Sequence, residues 1–167
     1  MCMIKIYNLD FVLFDFDDTL CILSRSGHPD PETYNKEVIK ETGMDWWDRI
    51  GCKDNRHMKE FIKELEQKGI KMGLISQTSS YIHALRKNEW VKAHYGCDLL
   101  NFSVMNNRVE AKTKMMIAIS NAYNIRRDRI LLVDDKEAIL SQAISYGFQA
   151  ASPMEVVNYM ENKNDQD

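Results

Sequence analysis

Residues 11–20 read Phe-Val-Leu-Phe-Asp-Phe-Asp-Asp-Thr-Leu, and this stretch decides the fold. Its first four residues are apolar and favour extended structure, which predicts a short strand buried on both faces. Three carboxylates, Asp15, Asp17 and Asp18, follow within four positions. Like charges this close repel, and a buried carboxylate is costly unless a cation or hydrogen-bond donors offset it. The simplest offset is a divalent metal such as Mg²⁺, which prefers hard oxygen ligands. The alternative is an acidic turn that caps the next segment.

Length and composition predict one domain with a full hydrophobic core. The chain has 167 residues, a formal net charge of −3 and 28% charged residues, so neither a nucleic-acid-binding surface nor a membrane-binding one is expected. No apolar run approaches the roughly 18 residues of a membrane span, and residues 1–10 lack a signal core. Four scattered cysteines without a Cys-x-x-Cys pair argue against a zinc site. They favour free thiols in a reducing compartment, and hence a cytoplasmic protein.

Apolar segments of strand and helix character alternate along the chain. Strands are predicted at 11–14, 70–75, 98–105, 130–133 and 148–151, and helices at 54–68, 79–88, 111–123, 138–144 and from 152 onward. This alternation predicts an α/β fold with a doubly wound, Rossmann-like parallel sheet that carries helices on both faces. We expect a single domain over residues 1–161 and a polar, disordered tail at 162–167.

A small insert is predicted at residues 21–53, between the first strand and the first long helix. Asp30-Pro31 is a helix start that leads to a short helix ending at Gly43. Trp46 and Trp47 follow. These tryptophans either pack the insert onto the main domain or belong to a small lid over the acidic residues.

Polar residues follow three of the predicted strands, and the carboxyl ends of parallel strands meet in one crevice. The residues are Asp15 and Asp17, then Ser76 and Gln77, then Asp134 and Asp135. Ser76 either belongs to the cap of the following helix or binds a phosphoryl oxygen, and the two uses can coexist. Lys112 and Lys114 lie in the first turn of a helix, where cations are disfavoured. That local conflict points to a functional role for one of them.

The sequence resembles the haloacid dehalogenase (HAD) superfamily of phosphohydrolases. Residues 15–19, Asp-Phe-Asp-Asp-Thr, fit its Asp-x-Asp-x-Thr motif, and the ordered hydroxyl, lysine and paired carboxylates extend the resemblance over about residues 11–150. The phrases Phe-Asp-Phe-Asp-Asp-Thr-Leu, Ile-Ser-Gln-Thr-Ser and Val-Asp-Asp-Lys-Glu are most similar to the magnesium-dependent phosphatase branch, whose members have little or no cap. The resemblance therefore implies an HAD core with a small helical insert.

The resemblance also implies a role for each motif residue. Asp15 is the nucleophile that forms an aspartyl-phosphate, and Asp17 is the general acid and base. Mg²⁺ is held by Asp15, Asp134 and the backbone carbonyl of Asp17. The phosphoryl group is bound by Ser76, Gln77 and Lys112, with Lys114 as the alternative lysine, while Thr19 and Asp135 orient the site.

The predicted function is a magnesium-dependent phosphomonoester hydrolase. Its substrate class stays open among small phosphate esters, phosphoproteins and nucleic-acid ends. Two alternatives on the same fold are a catalytically idle metal-binding or regulatory module and a phosphotransferase or mutase. The insert is too short for the full helical lid that a mutase needs, and the lack of a membrane span argues against a transport ATPase.

Overall fold

A computed structural model describes residues 8–22, 52–78, 80–105 and 108–164. Its strands are β1 (Phe11–Phe14), β2 (Cys21–Ile22), β3 (Lys53–Asp54), β4 (Lys71–Leu74), β5 (Leu100–Asn101), β6 (Ile130–Val133) and β7 (Gln149–Ala151). Its α-helices are α1 (Arg56–Gln67), α2 (Tyr81–Tyr95), α3 (Val109–Tyr123), α4 (Glu137–Ser145) and α5 (Pro153–Asn164), with a 3₁₀ turn at Arg127–Arg129. None of the helices in these ranges is long and apolar enough to cross a membrane.

Five strands form one parallel sheet in the order β5-β4-β1-β6-β7. The strand that opens the motif stretch, β1, lies at its centre and pairs in parallel with both β4 and β6. The chain leaves β1 first toward β4 and β5 on one side, then crosses to β6 and β7 on the other. This confirms the predicted doubly wound parallel sheet. The carboxyl edge of β1 therefore lies beside a topological switch point, where open α/β sheets bind ligands.

The alternating side chains of β1 feed two hydrophobic clusters, one on each face of the sheet. Val12 and Phe14 belong to the cluster that includes apolar residues of α1, α2 and α5. Phe11 and Leu13 belong to the cluster that includes apolar residues of α3 and α4. All four side chains are fully buried. Helices on both faces thus hold the central strand and the acidic residues that follow it.

Three predicted boundaries were wrong. Helix α2 continues to Tyr95, where Gly96 adopts a left-handed backbone (φ 71°) that suits a helix C-cap. Strand β5 has two residues instead of eight, because its regular pairing with β4 ends at Asn101, opposite the last residue of β4. Beyond it the chain stays beside the segment that follows β4, where the Phe102 and Val104 backbone N–H groups donate to the Leu74 and Ser76 carbonyls at 2.8 and 2.9 Å. Helix α5 extends to Asn164, into the predicted tail. Residues 165–167 lie outside the described residues.

The first and last residues of the predicted insert form a stem. Strands β2 and β3 pair antiparallel, with Cys21 opposite Asp54. Cys21 and Cys52 are joined by a disulfide, with their Cα atoms 5.7 Å apart. The expectation of free thiols was therefore wrong for this pair, while Cys97 is free and buried. A separation of 31 residues gave no sequence signal for the pairing, which the β2–β3 stem brings about.

The disulfide removes the argument for a cytoplasmic location that rested on free thiols. The rest of the insert, including the predicted helix after Asp30-Pro31, Trp46 and Trp47, lies outside the described residues. The predicted turn at Asn106-Asn107 lies outside them as well.

Candidate functional site

The hydrogen bonding of the sheet continues one residue past β1 and β6 and so fixes two carboxylates at the same edge. The backbone N–H of Asp15 donates to the Val133 carbonyl at 2.9 Å. The backbone N–H of Asp134 donates to the Ala151 carbonyl at 3.2 Å. Both side chains are buried. The position of these acidic groups is thus set by the hydrogen bonding of the parallel sheet.

A tight loop follows Asp15. The Phe16 carbonyl accepts the backbone N–H groups of Leu20 and Cys21 at 3.0 and 2.9 Å. Asp18 adopts a left-handed backbone with φ 54°, which aspartate tolerates better than most residues. Thr19 is fully buried, and its hydroxyl has no hydrogen-bond partner among residues 8–22, 52–78, 80–105 and 108–164. The loop turns the chain back on itself within six residues of the end of β1.

Lys112 is the lysine that enters the crevice. Only 2% of its side chain is exposed, and its Nζ lies 2.7 Å from Asp15 Oδ1 and 2.6 Å from Asp134 Oδ2. Burial lowers the pKa of Lys112, but the two carboxylates outweigh burial and hold that pKa above its usual value. Lys114, the alternative, is exposed. The unfavourable position of Lys112 near the start of α3 is offset by these two ion pairs.

Asp15, Asp134 and Asp135 form an acidic cluster whose nearest carboxylate oxygens all lie within 4.8 Å of one another. Burial and the Asp15 charge raise the pKa of Asp134, although Lys112 opposes them. Burial, Asp15 and Asp134 together raise the pKa of Asp135 to about 6. The cluster is therefore electrostatically unfavourable by itself.

The acidic cluster fits Mg²⁺ by its donor chemistry. It offers three carboxylates, and one ammonium, that of Lys112, lies against it. When all three carboxylates are ionised, two negative charges stay unbalanced, and an all-oxygen donor set is the kind that Mg²⁺ prefers. Asp135, predicted to orient the site, is geometrically part of this cluster.

Ser76 and Gln77 follow β4 at the same edge of the sheet. Ser76 is fully buried, and its backbone carbonyl accepts the Val104 N–H at 2.9 Å. The Gln77 side-chain amide donates to the Arg108 carbonyl at 3.4 Å, just before α3 begins. The helix-capping role that was open for this segment belongs to Ser80, whose hydroxyl accepts the His83 N–H at 3.2 Å.

A second buried lysine, Lys87 of α2, was missed by the sequence analysis. Its side chain is 1% exposed, and its Nζ donates to Asp17 Oδ2 at 2.6 Å and to Ser76 Oγ at 2.7 Å. Ala84, Lys87 and Val91 are spaced i, i+3, i+7 and are all buried. The alignment of Lys87 with Ala84 and Val91 was a weak signal, and it was incomplete because Val91 lay beyond the predicted end of the helix at residue 88.

The site therefore has two carboxylate–lysine groups. Lys112 serves Asp15 and Asp134, which are both buried. Lys87 serves Asp17, whose side chain is 39% exposed and so reaches the surface of the crevice. Chemically, the arrangement offers a buried carboxylate within a cluster of oxygen donors that could hold a metal ion, and a second, more accessible carboxylate next to it.

Three of the solved structures similar to this chain are the following. A hypothetical protein of Xanthomonas campestris matches at TM-score 0.50 and 17% identity, over 88% of this chain and 65% of that one. The cobalt-bound deoxy-D-mannose-octulosonate 8-phosphate phosphatase YrbI of Haemophilus influenzae matches at 0.55 and 17%, over 88% and 70%. The HAD family enzyme bt-2542 of Bacteroides thetaiotaomicron, in complex with magnesium and inorganic phosphate, matches at 0.53 and 13%, over 86% and 93%.

These likenesses establish that the chain has the fold of HAD-type hydrolases, which confirms the predicted resemblance at the level of the fold. The chain spans just under two thirds of the length of the Xanthomonas protein. No protein-family model and no curated protein sequence matches the chain. Activity therefore has to be argued from the site residues.

Proposed function

We propose that the protein is a magnesium-dependent phosphomonoester hydrolase that works through an aspartyl-phosphate on Asp15. The observation that carries this proposal is the contact of Asp15 with Lys112, 2.7 Å away, inside a cluster of three carboxylates at the carboxyl edge of the sheet. A buried carboxylate surrounded in this way is suited to attack a phosphoryl group whose charge is neutralised by cations.

In the first half-reaction, an Asp15 carboxylate oxygen attacks phosphorus. The new oxygen–phosphorus bond forms as the bond from phosphorus to the leaving alcohol oxygen breaks. Asp17 gives its proton to that leaving oxygen, so the product departs as a neutral alcohol. The partial exposure of Asp17 supports this role, because the proton donor has to reach the substrate.

In the second half-reaction, Asp17 takes a proton from water as the water oxygen attacks the phosphorus of the aspartyl-phosphate. The bond from phosphorus to the Asp15 oxygen breaks, which releases inorganic phosphate and restores the Asp15 carboxylate and the protonated Asp17. Lys112, the Ser76 hydroxyl and Gln77 bind the phosphoryl oxygens during both steps, and Thr19 orients the loop that carries Asp17.

Asp15, Asp134 and the Asp17 backbone carbonyl are the proposed holders of the metal, with Asp135 added by its place in the acidic cluster. When bound, Mg²⁺ supplies positive charge for the phosphoryl oxygens. The neighbour described as a deoxy-D-mannose-octulosonate 8-phosphate phosphatase supports a phosphorylated small molecule as the substrate class.

The experiment is phosphate release from p-nitrophenyl phosphate and a panel of phosphorylated metabolites, with Mg²⁺ or with EDTA. We expect activity in Mg²⁺, its loss in EDTA, and a loss of at least roughly 10³-fold in Asp15→Asn with the fold intact by circular dichroism. Borohydride reduction of the quenched wild type should convert Asp15 to homoserine, found by peptide mass spectrometry. Turnover that persists in Asp15→Asn would contradict the covalent mechanism.

A further inference from the structure

Lys87 is a buried charge to which the mechanism above gives no role. Its side chain is 1% exposed and occupies a core position of α2, beside the Phe16 ring, whose centroid lies 4.9 Å from the ammonium. A lysine is almost never fully buried unless it is paired. Asp17, Ser76 and Gln77, with which it forms hydrogen bonds, all lie at the candidate site, which makes its position informative.

The Lys87 ammonium donates to three acceptors from two segments of the chain. These are Asp17 Oδ2 at 2.6 Å, Ser76 Oγ at 2.7 Å and the Gln77 carbonyl at 3.2 Å. They match the three N–H donors of an ammonium in number. Because its ammonium already donates to these three acceptors, Lys87 acts on the substrate through Asp17 and Ser76 and does not bind it directly.

The contact with Ser76 sets the direction of a hydroxyl proton. A serine hydroxyl that accepts a hydrogen bond from an ammonium still has one proton to donate. The Gln77 carbonyl is 3.4 Å from Ser76 Oγ, which is a long hydrogen bond for a hydroxyl donor. The proton of Ser76 is thus available for a stronger acceptor, such as a phosphoryl oxygen.

The contact with Asp17 fixes a side chain that is otherwise weakly held. Its Oδ1 atom has no hydrogen-bond partner within the part of the chain that the structure describes. The charge-assisted bond from Lys87 to Oδ2 is therefore the main restraint on this carboxylate in that part of the chain. Proton transfer requires such restraint, because a displacement of about 1 Å can cost roughly 10²-fold in rate.

We propose that Lys87 is a positioning residue for proton transfer, holding the Asp17 carboxylate at the leaving-group side of the site and directing the Ser76 hydroxyl toward the phosphoryl group. This inference rests on the proposed function, since it assigns a task within that reaction. It predicts that Lys87 contributes more to kcat/KM when the leaving group has to be protonated.

The test compares kcat/KM for p-nitrophenyl, phenyl and ethyl phosphate in the wild type and in Lys87→Met, which keeps the length of the side chain but has no donor. p-Nitrophenolate is a good leaving group without protonation, whereas the ethoxide of ethyl phosphate has to be protonated as it leaves. We expect the loss on ethyl phosphate to exceed the loss on p-nitrophenyl phosphate by roughly 10- to 100-fold. Lys87→Gln, which retains a neutral donor, should show a smaller difference and serves if Lys87→Met unfolds.

Two further variants isolate the effect. Lys92→Met removes an exposed lysine from the same helix, paired with Asp98 at 3.0 Å, and should change none of the three values. In the Asp17→Asn background, Lys87→Met should add no further dependence on the leaving group, because Lys87 acts through Asp17. Additional dependence in that double variant would overturn the inference.

The remaining outcomes separate the inference from the proposed function. Equal losses on all three substrates, or no loss, would overturn the positioning role of Lys87 and leave the phosphatase intact. A wild-type chain that releases phosphate from none of the three with Mg²⁺ would overturn both.

Discussion

The Lys112 ammonium lies 2.6 Å from Asp134 Oδ2, and this contact ties the first turn of α3 to the carboxyl end of β6. The other oxygen of Asp134 accepts the Lys136 backbone N–H at 2.9 Å, just before α4 begins. One carboxylate thus connects a strand end with two helix starts. The substitution of either partner should affect the stability of the fold as well as the chemistry of the site.

Lys112→Met should abolish phosphatase activity and destabilise the metal-free protein. Without the ammonium, Asp15 and Asp134 are buried close together and uncompensated, and breaking a buried pair from one side typically costs about 3–5 kcal/mol. Mg²⁺ should raise the melting temperature of the variant more than that of the wild type. Urea denaturation with and without Mg²⁺ measures both effects.

Lys114→Met is the matched control, because Lys114 is exposed on the same turn of α3. It should keep wild-type activity and stability. A Lys112→Met protein as stable as the control would argue against a tight charge cluster.

Asp134→Asn should weaken the dependence of activity on Mg²⁺. The change removes one charged oxygen donor from the acidic cluster. Even the loss of a residue that only hydrogen-bonds to a metal ligand typically lowers metal affinity by roughly 10- to 100-fold. We expect the Mg²⁺ concentration at half-maximal activity to rise by at least about 10-fold. Isothermal titration calorimetry with Mg²⁺ gives an independent value. Asp128→Asn, at a carboxylate outside the acidic cluster, should leave both values unchanged.

The parts of the site carried by local sequence were predictable, and the parts that depend on distant packing were not. Asp15 and Asp134 directly follow apolar runs of four residues, so their place at the strand ends could be inferred. Lys112 was distinguishable by its conflict with the helix dipole. Lys87 gave no comparable signal, because a charged residue in a helix is usually at the surface.

The same distinction explains the other errors. The disulfide depends on a β2–β3 pairing of only two residues a strand, far too short to give a periodic pattern. The addition of Asp135 to the acidic cluster depends on how the chain turns after β6, which the sequence alone does not specify. Strand β5 was overestimated because its regular pairing ends where its neighbour β4 ends, at the pair Leu74 and Asn101.

The free energy of unfolding should decrease as the pH falls from 6.5 to about 4, because of the titration of His83. Burial, helped by the nearby Lys87 charge, lowers the pKa of His83 from 6.5 to about 4. In this window the unfolded chain binds a proton at His83 that the folded chain does not, so acid favours unfolding. The contribution of neutral His83 to the free energy of unfolding is fully present above pH 6.5 and is lost as the pH falls to about 4. The loss amounts to at most about 3 kcal/mol.

His83→Gln isolates this contribution, because glutamine is polar but does not titrate. The free energy of unfolding of the wild type should fall relative to the variant as the pH drops through the window. The raised carboxyl pKa values of Asp134 and Asp135 act in the opposite direction, but they are common to both proteins and cancel in the difference. Parallel curves for the two proteins would contradict the buried neutral imidazole.

The double variant Cys21→Ala/Cys52→Ala should lower the free energy of unfolding by about 3–4 kcal/mol, the amount expected when a cross-link closing a loop of some 30 residues is removed. The link lies just after the loop that carries Asp17, so phosphatase activity should also fall. Reduction of the wild type should reproduce both effects, and peptide mapping under non-reducing conditions should recover the two cysteines in one linked species. Addition of the reductant to the double variant, which lacks the link, controls for its other effects. If reduction alters neither the unfolding curve nor the rate, the stem owes its stability to the β2–β3 pairing alone.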